Sequence, residues 1–367
     1  MKTYLVGGAV RDKLLGLEAK DNDWVVVGAT PAELKKLGFK QILASFPVFL
    51  HPITKEEYAL ARTERKVAQG YHGFEVNFDN SITLEDDLKR RDLTINSIAL
   101  DDNGKITDPF NGQKDLQNRI LRHTSVSFKE DPLRVIRLAR FMAQLYDFNF
   151  KIADETNLLI KEILDSGGLN HLTKERLNIE FKKALCYPNV FFDTLSSLGC
   201  LDCIFTTIAK NINKIPHQPF FNNIIYKTAT FDEKVALIFY NFDSTQLNSI
   251  KSELNLSNSH HKLAISISKI HHLTTNIYTA EEFLHTLRKT NFLRDKVLFK
   301  KAFSLYNKLT LILNNNDLAK ESKKLKLLIT HIQTIDVKTL AKKIPNNLFA
   351  QTINQLYIDT INKLLKI

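Results

Sequence analysis

Leu5-Val6-Gly7-Gly8-Ala9-Val10-Arg11-Asp12, followed by Asp21-Asn22-Asp23-Trp24-Val25-Val26-Val27, is the stretch that decides the fold of this chain. Tyr4-Leu5-Val6 reads as a short strand running into a Gly-Gly turn. Ala9 to Leu15 then has the spacing of a helix, with Gly16 placed as a C′ glycine. Glycine at the turn lets the backbone approach a ligand, the free N–H groups of a helix start attract an anion, and Arg11 adds a cation one turn in. Gly8 and Arg11 are therefore candidate contacts for a chain of phosphates.

Asp21-Asn22-Asp23 stands directly before the apolar run Trp24 to Val27, a strand. In extended chain, residues two apart point to the same side with Cα atoms about 6.5 Å apart, so Asp21 and Asp23 can face one Mg²⁺ site. Two-metal nucleotidyl transfer needs this arrangement: one ion activates an attacking 3′-hydroxyl, and the other steadies the triphosphate and the leaving pyrophosphate. An Asp-x-Asp in isolation is a solvated turn. Its position after a glycine phosphate loop, at the edge of a strongly apolar strand, selects the catalytic reading.

The rest of the chain divides by its breakers. Short β-rich runs such as Tyr58-Ala59-Leu60-Ala61 alternate with helical segments, for example Pro31 to Leu37 behind Thr30 as N-cap, and indicate an α+β head of roughly 125 residues. All 12 glycines lie at or before Gly199, and proline is absent between Pro219 and Pro345. That breaker-poor stretch carries Leu, Ile and Phe at three- and four-residue spacings and reads as packed helices, with a loop at Asn314-Asn315-Asn316. The expected architecture is α+β, a mixed sheet with helices followed by an all-α remainder.

At 367 residues and 44% hydrophobic, the chain requires two or more packed units. Its formal charge of +11 is spread along the sequence, which suits a polyanion such as RNA as partner. No run approaches the ~20 apolar residues that span a bilayer, so no membrane association is expected. Three cysteines make no disulfide framework, no leader segment is visible, and a cytoplasmic setting is expected. Cys200 and Cys203 form a lone C-x-x-C, to which no function is assigned.

The Gly-Gly turn and the Asp21-Asn22-Asp23-Trp24 segment resemble the head-domain signature of the polymerase-β nucleotidyltransferase superfamily in its class II bacterial branch of tRNA nucleotidyltransferases, which comprises CCA-adding enzymes and bacterial poly(A) polymerases. The similarity runs from Met1 to about Lys183. It implies a nucleotidyltransferase head at 1–125, a helical base-recognising neck at 126–205, and a helical body and tail at 206–367 that holds tRNA. The implied activity is template-independent addition of the 3′-terminal CCA to tRNA from CTP and ATP, with two Mg²⁺ ions and release of pyrophosphate.

Glu85 to Asn96 carries the next match. From the residues alone it is a helix with an acidic first turn, its Arg90-Arg91-Asp92 a surface ion cluster. The resemblance implies that Arg91 and Asp92 contact the nucleotide, Asp92 through the ribose. A third match, Glu130 to Arg140, reads as a capped helix behind Asp131-Pro132 with a basic stripe. Asp131 and Arg134, three apart, project together. Arg134 can donate to the N3/O2 edge of cytosine or N1 of adenine while Asp131 accepts from the exocyclic amine. Uracil and guanine present a ring N–H and a carbonyl there and fail both contacts. The resemblance makes this pair the protein template, with Arg137 and Arg140 as further nucleotide contacts.

Arg62 to Phe74 is expected to be a mobile loop over the active site. Glu57 and Asp92 both remain open as a third carboxylate. Many relatives carry a C-terminal phosphohydrolase marked by His-Asp; here no His precedes Asp, and Tyr240-Asn241 stands in the matching helix, which cannot ligate a metal at useful affinity. His260-His261 and His271-His272 read as structural. The alternatives to CCA addition are poly(A) polymerase, addition of CC or A alone, and non-catalytic RNA binding, the last disfavoured by the intact Gly8, Arg11, Asp21 and Asp23 set.

Overall fold

A strand as apolar as Trp24 to Val27 is stable only where both faces of its sheet are covered. The computed structural model, which describes residues 1–19, 21–42, 47–66 and 74–365, covers both. Val25 packs with Val6, Ala61, Ile82, Leu88 and Ala99 on one face, and Val26 with Ala29, Leu34, Phe49 and Leu60 on the other. Successive residues alternate between the two cores, as the period of two demands.

The elements follow the order β1 (Lys2–Val6), α1 (Gly8–Leu14), β2 (Asp23–Val27), α2 (Pro31–Lys36), β3 (Lys40–Gln41), β4 (Val48–Leu50), β5 (Glu57–Leu60), β6 (Thr63–Lys66), β7 (Phe74–Asn77), α3 (Leu84–Lys89), β8 (Ala99–Leu100), β9 (Ile106–Thr107), α4 (Gly112–Asn118) and β10 (Ile120–Leu121). Seven strands form a mixed sheet in the order β3-β4-β5-β2-β1-β8-β9, with β2 and β5 parallel and the other pairs antiparallel. β6 and β7 pair separately as a hairpin. Residues 67–73, the centre of the expected mobile loop, lie outside the described residues.

The helical part opens with α5 (Leu133–Gln144), β11 (Lys151–Ile152), which pairs in parallel with β10, then α6 (Asp154–Asp165), α7 (Lys174–Lys183), α8 (Pro188–Ser197) and α9 (Leu201–Ile204). By internal contacts, Met1–Ala184 with Val190–Ile204 form one unit, and Leu185–Asn189 with Phe205–Ile367 a second. Among the described residues the second unit holds helices and no strand: α10 (Thr206–Lys210), α11 (Ile224–Lys227), α12 (Phe231–Ile238), α13 (Ser244–Glu253), α14 (Asn258–Thr275), α15 (Ala280–Arg288), α16 (Lys296–Ile312), α17 (Asn316–Gln333), α18 (Val337–Ala341) and α19 (Asn346–Leu365).

Local chemistry explains the starts and stops. Thr30 caps α2 through a capping box with Glu33 behind Pro31, and Thr83 caps α3 with Asp86 in the same way. One expectation fails here, since the segment from Glu85 to Asn96 is not one helix. α3 stops at Lys89 and Thr94–Asn96 forms a separate 3-10 turn. The chain between them extends to bridge Leu93 to His123, and the Thr94 N–H donates to the Arg122 carbonyl. Pairing with a distant segment overrides helical propensity and puts Arg91 and Asp92 past the helix end.

Candidate active site

Antiparallel pairing of β1 with β2 brings the end of one strand to the start of the other, with Val6 opposite Asp23. The Gly7-Gly8 turn and the Asp21-Asn22-Asp23 segment therefore share one end of the sheet. Gly7 has φ +70°, which favours glycine, and a Cβ there would crowd Nη1 of Arg91 at 3.1 Å. Asp23 lies on the Val25 face, the side that α3 covers through Leu84 and Leu88, and this is how the residue just past α3 reaches the turn. Parallel pairing of β2 with β5 sets Glu57 beside Asp23 on that same face.

Among the described residues, neither the Asp21 nor the Asp23 carboxylate accepts a hydrogen bond or joins an ion pair. Asp23 titrates above the ordinary carboxylate range because protein atoms around it displace water, with the like charge of Asp21 adding and Arg91 opposing. Both side chains nevertheless reach solvent. Two adjacent carboxylates without protein partners fit a hard divalent cation. No group of three or more His, Cys, Asp or Glu converges on one point among the described residues. For Mg²⁺ this is no obstacle, since that ion takes one or two carboxylates and fills its octahedron with water and substrate phosphates.

Basic groups flank this pair, each held by a specific partner. Asp87, fully buried, forms ion pairs with Arg90 at 2.7 Å and Arg91 at 3.1 Å and accepts the Arg62 backbone N–H. Burial alone would raise its carboxyl, but these two guanidinium groups hold it below the ordinary range. Arg11 is 8% exposed; it pairs with Asp12 at 2.7 Å, donates to Oδ1 of Asn96 at 2.9 Å, and lies 5.2 Å from the Phe141 ring centre.

Asp92 is 6% exposed, and both its oxygens are engaged. One accepts from the Leu93 N–H and the Asn96 amide; the other accepts Arg137 Nε at 2.8 Å. Burial pushes this carboxyl up, but the Arg137 guanidinium and the Asn96 amide outweigh it and hold the group far below the usual range. Asp92 thus stands as a hub beneath the surface, and its chain neighbour Arg91 has a side chain 18% exposed. Arg140, 5% exposed, pairs with the buried Glu180 of α7 and lies over the Phe141 ring at 3.9 Å. The basic stripe read on this helix is in large part inside the protein: Arg134 and Arg140 are buried, and Arg137 is one-third exposed.

At the start of α5 the Asp131 carboxylate caps the helix, accepting the Leu133 N–H at 3.2 Å, and accepts Arg176 from α7 at 2.7 Å. Arg134 donates to the carbonyls of Ser127, at 2.8 Å, and of Arg90. These bonds fix the plane of its guanidinium and tie it to the segment that carries Arg91.

Sequence reasoning missed four residues that organise this site: Asp87, Asn96, Arg176 and Glu180. Only Asp87 had a local signal, three and four positions before Arg90 and Arg91 on one helix face. In the second unit, Tyr240 packs edge-on against His271 at 4.8 Å. His271 shares a hydrogen bond with Tyr306 at 3.0 Å and is pushed down to about 4 by burial, so it serves packing. His260 has an acidic partner in Asp232 of α12 at 2.9 Å. Cys200 is buried with its thiol pushed up to about 12 by burial, and Cys203 donates to the Cys200 carbonyl.

The mixed sheet, its glycine turn and the paired aspartates define a nucleotidyltransferase head, and residues 3–122 match the family model of the Poly A polymerase head domain. Along its whole length the chain is 54% identical to the CCA-adding enzyme of Francisella tularensis subsp. novicida strain U112, covering 100% of both proteins. It is 57% identical over 210 residues to the Multifunctional CCA protein of Pseudoalteromonas atlantica, covering 57% of this chain and 52% of that one. The chain belongs to the CCA-adding enzyme family of nucleotidyltransferases. Its fold is that of the Bacillus stearothermophilus CCA-adding enzyme in a crystal structure with CTP, at TM-score 0.68 and 21% identity, covering 98% of this chain and 89% of that one. No helix among the described residues is long and apolar enough to cross a membrane.

Proposed function

We propose that this chain adds the 3′-terminal CCA to tRNA from CTP and ATP, releasing pyrophosphate, with the head at 1–125, the neck at 126–205 and the body at 206–367 dividing the work. The carrying observation is the sheet end where Gly7-Gly8, Arg91 and two unpartnered carboxylates meet, in a chain 54% identical from end to end to a CCA-adding enzyme. Asp21 and Asp23 would hold two Mg²⁺ ions, whose chemistry there is activation of the tRNA 3′-hydroxyl and neutralisation of charge on the triphosphate. Gly7-Gly8 lets a phosphate approach the main chain, and Arg11 and Arg91 supply charge-assisted donors.

At the other end of the nucleotide, Arg134 donates to the base and Asp131 accepts its exocyclic amine, so C and A satisfy both contacts while U and G leave buried polar groups unpaired. The Ser127 and Arg90 carbonyls orient Arg134, and Arg176 orients Asp131. Arg137 and Arg140, braced by Asp92 and Glu180, line the wall between phosphate and base ends. The net charge of +11 supports a tRNA partner bound through phosphates and shape.

Purified protein with Mg²⁺ and tRNA ending at the discriminator base, given each NTP singly and together, tests this reading. Addition of C, C and A followed by a stop, lost in the Asp21→Ala/Asp23→Ala variant, supports it. Unlimited A addition would make the chain a poly(A) polymerase, a stop after CC or A alone a partial enzyme, and no transfer an RNA binder.

A further inference from the structure

Asn96 stands at the centre of a polar chain that joins the two ends of the nucleotide site. It sits on the 3-10 turn Thr94–Asn96 and is 5% exposed. Its Oδ1 accepts from Arg11 Nη1 at 2.9 Å, and its Nδ2 donates to Asp92 Oδ1 at 3.0 Å. From Asp92 the chain continues to Arg137 at 2.6 Å, and from there to Glu180 at 3.8 Å, which also holds Arg140. On the other side, Nη2 of Arg11 lies 3.6 Å from where a Cβ on Gly8 would be, so the guanidinium rests directly against the glycine turn.

The chemistry at this position admits an amide and little else. One neighbour is a cation that needs an acceptor, and the other is a carboxylate that needs a donor. A carboxylate at 96 would satisfy Arg11 and repel Asp92, and an aliphatic side chain would leave both buried groups short of a partner. Asn96 therefore joins Arg11 on α1 to Asp92, which in turn holds Arg137 on α5.

We propose that Asn96 is a positioning residue, setting the Arg11 guanidinium for the triphosphate and linking that placement through Asp92 to Arg137 on the base-reading helix. The inference rests on the reading of Arg11 and Arg137 as nucleotide contacts. Its consequence is that the phosphate and base ends are felt together, so one substitution at 96 weakens CTP and ATP alike.

The test uses the full chain and tRNA ending at the discriminator base or at CC, with steady-state kinetics for CTP and ATP and thermal melts for each variant. Asn96→Leu should raise KM for both nucleotides about tenfold, the size of losing a hydrogen bond to a charged group, with a smaller change in kcat. Asn96→Asp, which keeps the acceptor for Arg11 but repels Asp92, should raise KM above wild type by less than Asn96→Leu, and that rise carries the test if the leucine variant does not fold. Because Asn96 acts on Arg11 through one contact and on Arg137 through another, the losses in Asn96→Leu/Arg11→Met should be smaller than the sum of the two single-variant losses. Unchanged KM in folded Asn96→Leu, or losses that add in the double variant, would overturn the role of Asn96. Unchanged KM in Arg11→Met would overturn the triphosphate reading itself and the inference with it, and the single variants tell the two failures apart.

Discussion

Replacing Asp92 with alanine should destabilise the first unit by about 3 kcal/mol, the low end of the 3–5 typical when one partner of a buried ion pair is removed. The low end follows from Arg137, whose side chain is 33% exposed while that of Asp92 is 6% exposed, and which keeps Glu180 at 3.8 Å. Trp24 is the only tryptophan in the chain and sits on β2, stacked on Tyr58 at 5.4 Å, so its fluorescence reports this unit. Urea titrations of wild type and Asp92→Ala at pH 7, followed by that fluorescence, measure the gap. The sign of its pH dependence is fixed by the direction of the carboxyl. Because the folded group is held far below the ordinary value of about 3.9, its contribution is full above that value and fades as pH falls toward the folded one. The gap at pH 3 should thus be smaller than at pH 7. A gap below about 1 kcal/mol at pH 7, the size of a single neutral hydrogen bond, or one that widens in acid, would refute the hub role.

Three further outcomes are expected. Asp21→Asn and Asp23→Asn should each abolish nucleotide transfer in the extension assay while leaving the unfolding free energy reported by Trp24 within about 0.5 kcal/mol of wild type, as for surface positions without partners. Arg176→Met should release Asp131, lowering kcat/KM for CTP about tenfold and raising the ratio of UTP to CTP incorporation, as read by single-nucleotide addition. Mass spectrometry after iodoacetamide at pH 8 should find Cys186 and Cys203 modified in the native protein and Cys200 only after denaturation, because Cys200 alone is buried.

Features encoded in contiguous sequence were legible, and those made by distant pairings were not. The glycine turn, the paired aspartates and the cap of α2 each depend on residues a few positions apart, and each sits where its spacing indicates. The Arg90-Arg91-Asp92 segment was misread as helix because the force that extends it comes from residues 122–123, far along the chain. The burial of the basic face of α5 could not be read because its counter-charges, Asp92 and Glu180, lie on other elements. Periodicity identifies which side chains share a face, but whether a charged face is buried depends on partners that no local pattern reveals.

That difference bears on how the site is identified. Three arginines of the first unit have carboxylate partners beneath the surface, Arg11 with Asp12, Arg137 with Asp92 and Arg140 with Glu180, and buried Arg134 is held by two backbone carbonyls. Such pairs are what burial of charge requires, and they hold these guanidinium groups in place for the nucleotide without themselves marking where the reaction occurs. The imbalance lies elsewhere. Arg91 shares Asp87 with Arg90, and Asp21 and Asp23 have no protein partner among the described residues. On the proposed reading these are the charges that the reactants themselves complete, a triphosphate on Arg91 and divalent cations on the aspartates. Since cations on Asp21 and Asp23 neutralise carboxylates that would repel a triphosphate, and a triphosphate on Arg91 offsets a charge that would repel cations, cations and nucleotide should bind with mutual reinforcement.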